Sequence, residues 1–277
     1  MQKKEGIALI IGIVFLIIFL LIMYKNNKID SDYNFKIYFF NAGKADAILV
    51  SKNNQYLLID TGEESLKEEL LDYFKKNNIT KLEYLIITHF DKDHVGSASS
   101  IIDNIEVKEV LQSNYPKDSI YYSKYIDSLN NKNITPMTVS GNYDISLDDI
   151  NILINGPEEV YEKNESNNSS IIISIINGNN KFLFMGDSEN ARIKDFVNMN
   201  NTTYDFIKMP YHGRYLKRLD NLLESTKPKY AVMTCSSKEG CEKETINVLN
   251  KYNTTYYMTK NGPISIYSNG DKIQIKK

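Results

Sequence analysis

Histidine is rare in this chain, and two of its three histidines lie within one short stretch. His89 and His94 flank a segment that also holds Asp91 and Asp93, in the pattern H-x-D-x-D-H. Imidazole and carboxylate groups packed this closely would repel one another or leave polar atoms unpaired unless a cation lay between them. A mixed set of nitrogen and oxygen donors suits a divalent metal ion. The spacing therefore predicts a metal site.

Three further potential ligands come directly after predicted strands. Asp60 ends the run QYLLID, Asp187 ends KFLFMGD, and His212 follows YDFIKM. Aspartate is also common where a strand enters a turn, and a single histidine is more often a polar loop residue than a ligand. None of these three residues is therefore specific evidence for a metal site by itself.

The elements that must position these residues are read from runs of apolar and β-branched residues. We predict strands at 35–40, 46–51, 55–60, 82–88, 107–112, 150–154, 169–176, 181–187, 204–209 and 229–234, helices at 66–76, 119–131, 189–198, 216–224 and 242–250, and a final hairpin at 263–275. The stretch HFDKDHVGSAS is predicted as a polar loop. Consecutive strands, then strands alternating with helices, occur twice, which suggests two packed sheets with helices outside.

An apolar segment without charges runs from Ile7 to Tyr24, and as a helix it would span roughly 27 Å. A cleavable signal peptide would need a shorter apolar region and a small-residue cleavage site, which KNNKIDSDYN lacks. We therefore expect a tail at 1–6, a single-pass transmembrane signal-anchor at 7–24, a linker at 25–33 and one catalytic domain at 34–277. Lysines lie on both sides of the anchor, and the N-terminal amine favours an extracytoplasmic body.

The overall formal charge of −2 is unevenly distributed. Residues 1–28 hold four lysines and one glutamate, a net of +3, so the remainder carries −5. An acidic body argues against a broad nucleic-acid surface, because such surfaces need clustered lysine and arginine. It leaves room for a local phosphate site.

The two cysteines, Cys235 and Cys241, lie close together in CSSKEGC. This spacing allows a small disulfide in an oxidising compartment, and it equally allows two ordinary thiols in a loop. It does not match the Cys-x-x-Cys spacing of metal and redox sites.

In combination, these motifs resemble the metallo-β-lactamase superfamily: Asp60-Thr-Gly, then H-x-D-x-D-H, then Gly186-Asp187, then His212-Gly. The chain is most similar to the hydrolase domain of ComEC-type DNA-uptake proteins and their stand-alone relatives, through FFNAGKADAILV, NNSSIIISI and IKMPYHGR. The resemblance covers about residues 34–235. It implies an α/β fold, an αββα four-layer sandwich, here preceded by one transmembrane helix.

The resemblance also implies one or two divalent metal ions, zinc or manganese. The implied ligands are Asp93, His94 and His212 for one ion, His89 and Asp91 for the other, and Asp187 as a bridge. Asp60 would orient a ligand, and Asp93 would in addition orient the attacking water as the catalytic residue. Asn167 to Ser170 stand where relatives in the superfamily place a further histidine, which leaves the position of His89 and Asp91 poor in ligands.

The activity implied is hydrolysis by a metal-activated water, with a phosphodiester as the expected substrate and nucleic acid as a possible one. Lys44, Lys208 and Arg214 flank the ligand motifs and would hold a phosphate, although each is equally well explained as an ordinary solvated cation. Two alternatives stay open: an envelope hydrolase of esters, amides or lactams, and a catalytically inactive, metal-binding module tethered to the membrane. The double His-Gly-Ser of relatives appears here as Tyr211-His212-Gly213-Arg214. After the strand at 229–234, CSSKEGCEKETINVL also lacks the histidine and proline of their Asn…Gly-His-Pro stretch, which puts nuclease activity in question.

Overall fold

The computed structural model describes residues 11–19, 33–158, 160–163 and 165–277. The chain divides into two units, Met1–Asn34 and Phe35–Lys277. In the first unit, residues 11–19 form helix α1. Among the described residues, no helix combines the length and apolar character that crossing a bilayer requires. The tail at 1–6, the anchor's flanks at 7–10 and 20–24, and most of the linker (25–32) lie outside the described residues, so the membrane anchor stays a prediction.

Strands and helices alternate through the second unit. Its strands are β1 (Phe35–Phe39), β2 (Ala47–Lys52), β3 (Gln55–Thr61), β4 (Lys81–Ile87), β5 (Glu106–Ser113), β6 (Met137–Val139), β7 (Asn142–Leu147), β8 (Ile150–Asn155), β9 (Ile172–Asn177), β10 (Asn180–Phe184), β11 (Phe206–Lys208), β12 (Tyr230–Met233), β13 (Thr255–Met258), β14 (Ile264–Ser268) and β15 (Ile273–Lys276). Its helices are α2 (Lys67–Lys76), α3 (Lys92–Val95), α4 (Ala98–Asn104), α5 (Ile120–Asn131), α6 (Glu165–Asn168), α7 (Asn190–Met199), α8 (Leu219–Thr226) and α9 (Lys243–Lys251).

The strands form two mixed sheets. Within the described residues, the first sheet has the order β15-β14-β1-β2-β3-β4-β5-β6 and the second β13-β12-β11-β10-β9-β8-β7. Pairing is parallel from β3 to β6 in the first sheet and from β10 to β13 in the second. Parallel strands need crossover connections, and α2 to α5 and α7 to α9 supply them. The two halves therefore share one plan.

Alternating side chains place three apolar layers between these elements. Phe35 and Phe39 of β1 point into the core between the sheets, where the ring of Phe35 lies 5.1 Å from that of Phe182. Leu58 of β3 faces the helices of the first half, and Leu183 of β10 faces those of the second. Because neighbouring residues of a strand point to opposite faces, each strand contributes to two layers. The predicted α/β sandwich of two sheets with outer helices is confirmed.

Strands β6, β7 and β13 and helix α6 were not predicted from the sequence, and the stretch after β4 was predicted differently. The stretch predicted as a polar loop after β4 is partly helical, since α3 begins at Lys92 and α4 at Ala98. Asp91 is extended, and its carbonyl accepts hydrogen bonds from the backbone N–H groups of His94 (2.9 Å) and Val95 (3.0 Å). The H-x-D-x-D-H pattern therefore spans a strand end and the first turn of a helix, which turns its side chains towards one point. Helical periodicity is invisible in so short and polar a run.

Candidate metal centre

Four buried residues bring potential metal-binding atoms together between the two sheets. These atoms lie within 4.8 Å of one another and belong to Asp46, His94, Asp187 and His212. Asp46 precedes β2, His94 lies in α3, Asp187 follows β10, and His212 lies in the 3-10 turn Pro210–Gly213 after β11. Both halves of the sandwich therefore contribute to one centre.

His94 is held so that one ring nitrogen faces the centre. Its Nδ1 lies 2.8 Å from Oδ2 of Asp60. The Thr88 hydroxyl donates to the same oxygen and the Thr88 backbone N–H donates to Oδ1 of Asp60, both at 2.7 Å. Nε2 of His94 lies 3.4 Å from Nε2 of His212 and 3.4 Å from Oδ2 of Asp187. In metal-binding histidines, one ring nitrogen usually donates a hydrogen bond to a carboxylate while the other binds the metal, and His94 has this arrangement.

His212 is oriented in the same way from the opposite side. Its Nδ1 lies 3.1 Å from the Thr234 hydroxyl, which donates to Oδ1 of Asp46 at 2.5 Å. Its Nε2 lies 2.9 Å from Oδ2 of Asp187 and 3.5 Å from Oδ2 of Asp93. Although Asp46 belongs to the cluster by distance, it contacts the Nδ1 side of His212 and the ammonium of Lys208. Asp46 therefore orients His212, while Nε2 of His212 faces the other ligands.

Two buried polar atoms at the centre have no hydrogen-bond partner within the described residues: Nε2 of His89 and Oδ1 of Asp187. The ring of His89 lies 4.0 Å from that of His94, and its Nδ1 is 3.2 Å from the Thr88 hydroxyl. A buried polar atom without a partner costs about 1–3 kcal/mol, so such atoms usually bind something. A divalent cation fits these atoms, because it would accept electron pairs from both.

The pKa values show how strongly the groups interact. Burial and the neighbouring His94 lower the pKa of His89 to about 3, so this ring is neutral, the form that binds metals. Burial favours the neutral form of His212 too, but Asp187, Asp46 and other carboxylate partners overcome it and raise its pKa to about 9. His212 therefore carries a proton that balances part of the negative charge, as a metal cation would.

The predicted phosphate contacts are placed differently from one another. Lys44 is partly exposed, and its Nζ lies 2.8 Å from Oδ2 of Asp93. Arg214 is also partly exposed and lies over the ring of Tyr211, with its guanidinium carbon 5.2 Å from the ring centre. Lys208 is fully buried, and its ammonium contacts Asp46 and the Gly186 carbonyl (3.0 Å). Lys44 and Arg214 can therefore meet a ligand from solvent, whereas Lys208 is part of the interior.

The remaining predicted site residue, Asp91, lies beside the centre. Its Oδ1 is 3.9 Å from Nε2 of His89 and accepts a hydrogen bond of 2.6 Å from Lys117 and another from the Ser166 hydroxyl. Burial works against ionisation, but the hydrogen bonds from Lys117 and Ser166 and the charge of Lys117 hold the pKa of Asp91 below its usual value. Asp91 is thus a carboxylate shared between the centre and a lysine that the sequence did not single out.

Three residues of this centre have a strained backbone. Asp60, Tyr211 and His212 have φ angles of 55°, 49° and 54°, in the left-handed region. Such conformations cost about 1–3 kcal/mol each for residues with side chains and persist only where the surroundings enforce them. Behind His212, Cys235 and Cys241 form a disulfide, and the backbone N–H of Cys241 donates to the His212 carbonyl at 3.2 Å. The choice between disulfide and free thiols is thereby settled in favour of the disulfide.

Three residues of the centre were not singled out from the sequence: Asp46, Thr88 and Thr234. Asp46 lies inside the segment FFNAGKADAILV, whose similarity to relatives was the one available signal. Thr88 donates two hydrogen bonds to Asp60 and Thr234 donates one to Asp46. No spacing distinguishes them from other threonines at strand ends.

Comparison with known proteins agrees with this arrangement. The family model of the Metallo-beta-lactamase superfamily matches residues 41–236, so the chain belongs to that superfamily. The four residues of the candidate metal site, Asp46, His94, Asp187 and His212, all lie within the matched range.

Among curated proteins, the chain is 26% identical over 202 residues to recombination protein 2 of Haemophilus influenzae, covering 70% of this chain and 23% of that protein. It is 23% identical over 246 residues to ComE operon protein 3 of Bacillus subtilis, covering 80% of this chain and 30% of that protein. The chain therefore spans only a quarter to a third of the length of these relatives. The predicted similarity to ComEC-like proteins is confirmed.

Among solved structures, the metallo-β-lactamase fold protein YhfI from Bacillus subtilis matches with a TM-score of 0.56 at 9% identity, covering 87% of this chain and 100% of that one. CmlA, a diiron β-hydroxylase from Streptomyces venezuelae, matches with a TM-score of 0.51 at 14% identity, covering 81% of this chain and 52% of that one. At such low identity these matches establish the shared fold alone.

Proposed function

We propose that this protein is a membrane-anchored hydrolase that cleaves phosphodiester bonds with the help of one or two divalent metal ions, zinc or manganese. The observation that carries the proposal is the convergence of Nε2 of His94, Nε2 of His212 and Oδ2 of Asp187, beside the unpartnered Nε2 of His89. Imidazole nitrogens whose other nitrogen is fixed by a hydrogen bond are built to bind a cation.

The ligands would be His89, Asp91, Asp93, His94, Asp187 and His212. When bound, the metal lowers the pKa of water towards neutrality and stabilises negative charge that develops on a phosphoryl oxygen. Asp60 keeps the proton of His94 on Nδ1, so that Nε2 stays available. Burial opposes ionisation of Asp93, but His212 and His94 hold its pKa well below the usual value, and its charged carboxylate can orient the attacking water.

The substrate class is argued from the cations beside the centre. Lys44 and Arg214 are partly exposed and come from the loops before β2 and after β11, so they flank the ligands from two sides. A phosphodiester carries one negative charge between two neutral ester groups, which suits a few fixed cations better than an extended basic surface. The name of one relative, recombination protein 2, connects that protein with DNA and supports the same class.

The place of action is argued from one feature of the sequence and one of the structure. The apolar segment from Ile7 to Tyr24 suits a single-pass anchor in the cell membrane. The disulfide between Cys235 and Cys241 suits an oxidising compartment, since cytosolic thiols are kept reduced. Together they support a catalytic domain on the extracytoplasmic side.

The experiment is a substrate panel with the full chain in detergent, after chelation and reloading with Zn²⁺ or Mn²⁺. The panel holds bis-p-nitrophenyl phosphate, single-stranded DNA, p-nitrophenyl acetate and nitrocefin. We expect metal-dependent cleavage of the first two, lost in Asp93→Ala and His94→Ala and retained in the exposed control Asp72→Ala.

The other outcomes each contradict the proposal in a different way. Cleavage of only the acetate or nitrocefin would assign an ester or lactam hydrolase. Tight metal binding without turnover of any substrate would indicate an inactive metal-binding module. Binding of less than one equivalent of either metal, unchanged in His94→Ala, would remove the metal centre itself.

A further inference from the structure

We infer that Lys117 acts as a built-in cation at the edge of the metal centre and makes its two metal positions unequal. This inference rests on the proposed function, because it concerns the same ligands. The inner position is defined by Asp93, His94, Asp187 and His212, and the outer position by His89, Asp91 and Asp187. We expect the inner position to bind a divalent ion tightly and the outer one weakly, because Lys117 competes for Asp91.

The inner position has the richer set of donors. Nε2 of His212 lies 2.9 Å from Oδ2 of Asp187 and 3.5 Å from Oδ2 of Asp93, and Nε2 of His94 completes the set at 3.4 Å from the same Asp187 oxygen. Lys44 shares Oδ2 of Asp93, but even without that carboxylate two imidazoles and one carboxylate remain. Three such donors are enough for a stable divalent site.

The outer position has fewer donors, and one of them is already occupied. Nε2 of His89 and Oδ1 of Asp187 have no hydrogen-bond partner within the described part of the chain, and the Lys208 ammonium lies 3.7 Å from that Asp187 oxygen. Oδ1 of Asp91, the third possible ligand, already accepts hydrogen bonds from the Lys117 ammonium at 2.6 Å and from the Ser166 hydroxyl. Ser170, which stands near the place of a histidine in relatives, offers no imidazole, and its hydroxyl oxygen accepts a hydrogen bond of 3.0 Å from the backbone N–H of Asp187.

The loop that carries Lys117 is fastened to its surroundings. The Ser113 hydroxyl donates to the Ser169 carbonyl at 2.8 Å, and the Asn114 amide donates to the Pro157 carbonyl at 3.2 Å. Pro116, directly before Lys117, fixes its own φ angle. The ammonium therefore returns to Asp91 at little cost in entropy, unlike a lysine on a free loop.

The competing reading is an ordinary surface ion pair. The side chains of Lys117 and Asp91 are 37% and 28% exposed, and exposed pairs of this kind contribute little to stability. If Lys117 were only such a pair, it would swing away when a metal binds and leave the outer affinity unchanged. The two readings therefore differ in a measurable quantity, the affinity for the second metal ion.

The test is a titration of the chelated full chain with Mn²⁺, followed by isothermal calorimetry and electron paramagnetic resonance. We expect the wild type to bind one ion tightly and the second at least tenfold more weakly, with a spectrum of isolated Mn²⁺ at one equivalent. In Lys117→Ala and Lys117→Gln we expect the second affinity to rise about tenfold, or about 1.4 kcal/mol. A spin-coupled pair should then appear at two equivalents.

Lys124→Ala is the matched control, because Lys124 lies in α5 and pairs with Glu64 at 2.7 Å, away from Asp91. The inference is overturned if the wild type binds two ions equally, if neither Lys117 variant changes the second affinity, or if Lys124→Ala gives the same gain. A gain in Lys117→Ala alone would indicate lost bulk rather than lost charge and would also overturn it. Absence of any bound metal in the wild type would instead refute the proposed function.

Discussion

Asp60→Asn tests how the centre holds His94, with almost no change in shape. Oδ1 of Asp60 accepts from the backbone N–H of Thr88, and Oδ2 accepts from the Thr88 hydroxyl and faces Nδ1 of His94 at 2.8 Å. In Asp60→Asn the amide oxygen must keep the Thr88 backbone bond, so the amide N–H group faces Nδ1 of His94. Asparagine also tolerates the φ of 55° at this position better than most residues.

The substitution changes which ring nitrogen of His94 carries the proton. A donor at position 60 makes Nδ1 of His94 an acceptor, which moves the ring proton to Nε2, the nitrogen that faces Asp187 and His212. An Nε2 that carries a proton cannot bind a metal. Loss of such an orienting group typically costs 10- to 100-fold in metal affinity, or about 1.4–2.7 kcal/mol.

The assay is calorimetric titration of the chelated protein with Zn²⁺ and Mn²⁺. Asp72→Asn, an exposed carboxylate on α2, is the control for the change of one charge. Far-UV circular dichroism and thermal unfolding show whether Asp60→Asn still folds. A folded Asp60→Asn protein whose metal affinity stays within twofold of wild type would refute the role of Asp60 in setting the His94 proton.

Three further predictions concern the protein without bound metal, the backbone and the disulfide. The pKa of His212 is raised from 6.5 to about 9, so its contribution to stability is present below pH 6.5 and is lost as the pH rises through 9. Urea unfolding in EDTA should therefore show the free energy of unfolding falling by about 3 kcal/mol over this range. A flat profile would contradict the raised pKa of His212. Gly186 has a φ of +52°, and in Gly186→Ala the new Cβ would lie 2.9 Å from Cβ of Ser170. We expect thermal unfolding to show a loss of about 1–3 kcal/mol in the free energy of unfolding, together with weaker metal binding. Reduction, or Cys241→Ser, opens a short loop with a sequence separation of 6 and should lower the free energy of unfolding by about 2 kcal/mol. Urea unfolding with and without reductant measures this loss, and equal midpoints would show that the disulfide adds no stability.

The layers of the fold were predictable because strands bury alternate residues. In FKIYFF, Phe35, Ile37 and Phe39 all enter the core between the sheets, while Tyr38 packs on the helix side. The helicity of α3 was not predictable, because the helix has only four residues and two of them, Asp93 and His94, are polar residues buried at the centre. The membrane anchor is untested by the structure, since much of it lies outside the described residues.

The H-x-D-x-D-H pattern was informative because ligands close in sequence share one turn of chain. Asp46 escaped notice for the opposite reason. Its partners are distant in sequence: Thr234, which donates to it, is separated from it by 188 residues, and Lys208 comes from the far half of the sandwich. Only the packing of the two halves brings these groups together, and no local pattern encodes that contact.

The charge of the centre bears on how an acidic body would handle the proposed anionic substrate. The carboxylates at the centre outnumber the lysine ammonium groups that contact them: Asp46, Asp60, Asp91, Asp93 and Asp187 against Lys44, Lys117 and Lys208. Protons on the imidazoles compensate part of the difference, as the raised pKa of His212 shows. A divalent ion would displace these protons and leave Lys44 and Arg214 as cations available to a phosphate.

This balance predicts a weak dependence of nucleic-acid binding on salt. A protein that neutralises many phosphates loses affinity steeply with salt, with a logarithmic slope of about −0.7 per phosphate contact on single strands. The body carries a net charge of −5 outside residues 1–28, and the cations that face solvent beside the centre are few. We therefore expect the metal-loaded full chain to bind single-stranded DNA with a slope of about −1 to −2, measured by fluorescence anisotropy between 50 and 200 mM KCl. Lys44→Ala should make the slope shallower and Lys124→Ala should not. A slope of about −5 or steeper would mean that DNA contacts an extended basic surface, and the argument for a local phosphate site would then fail.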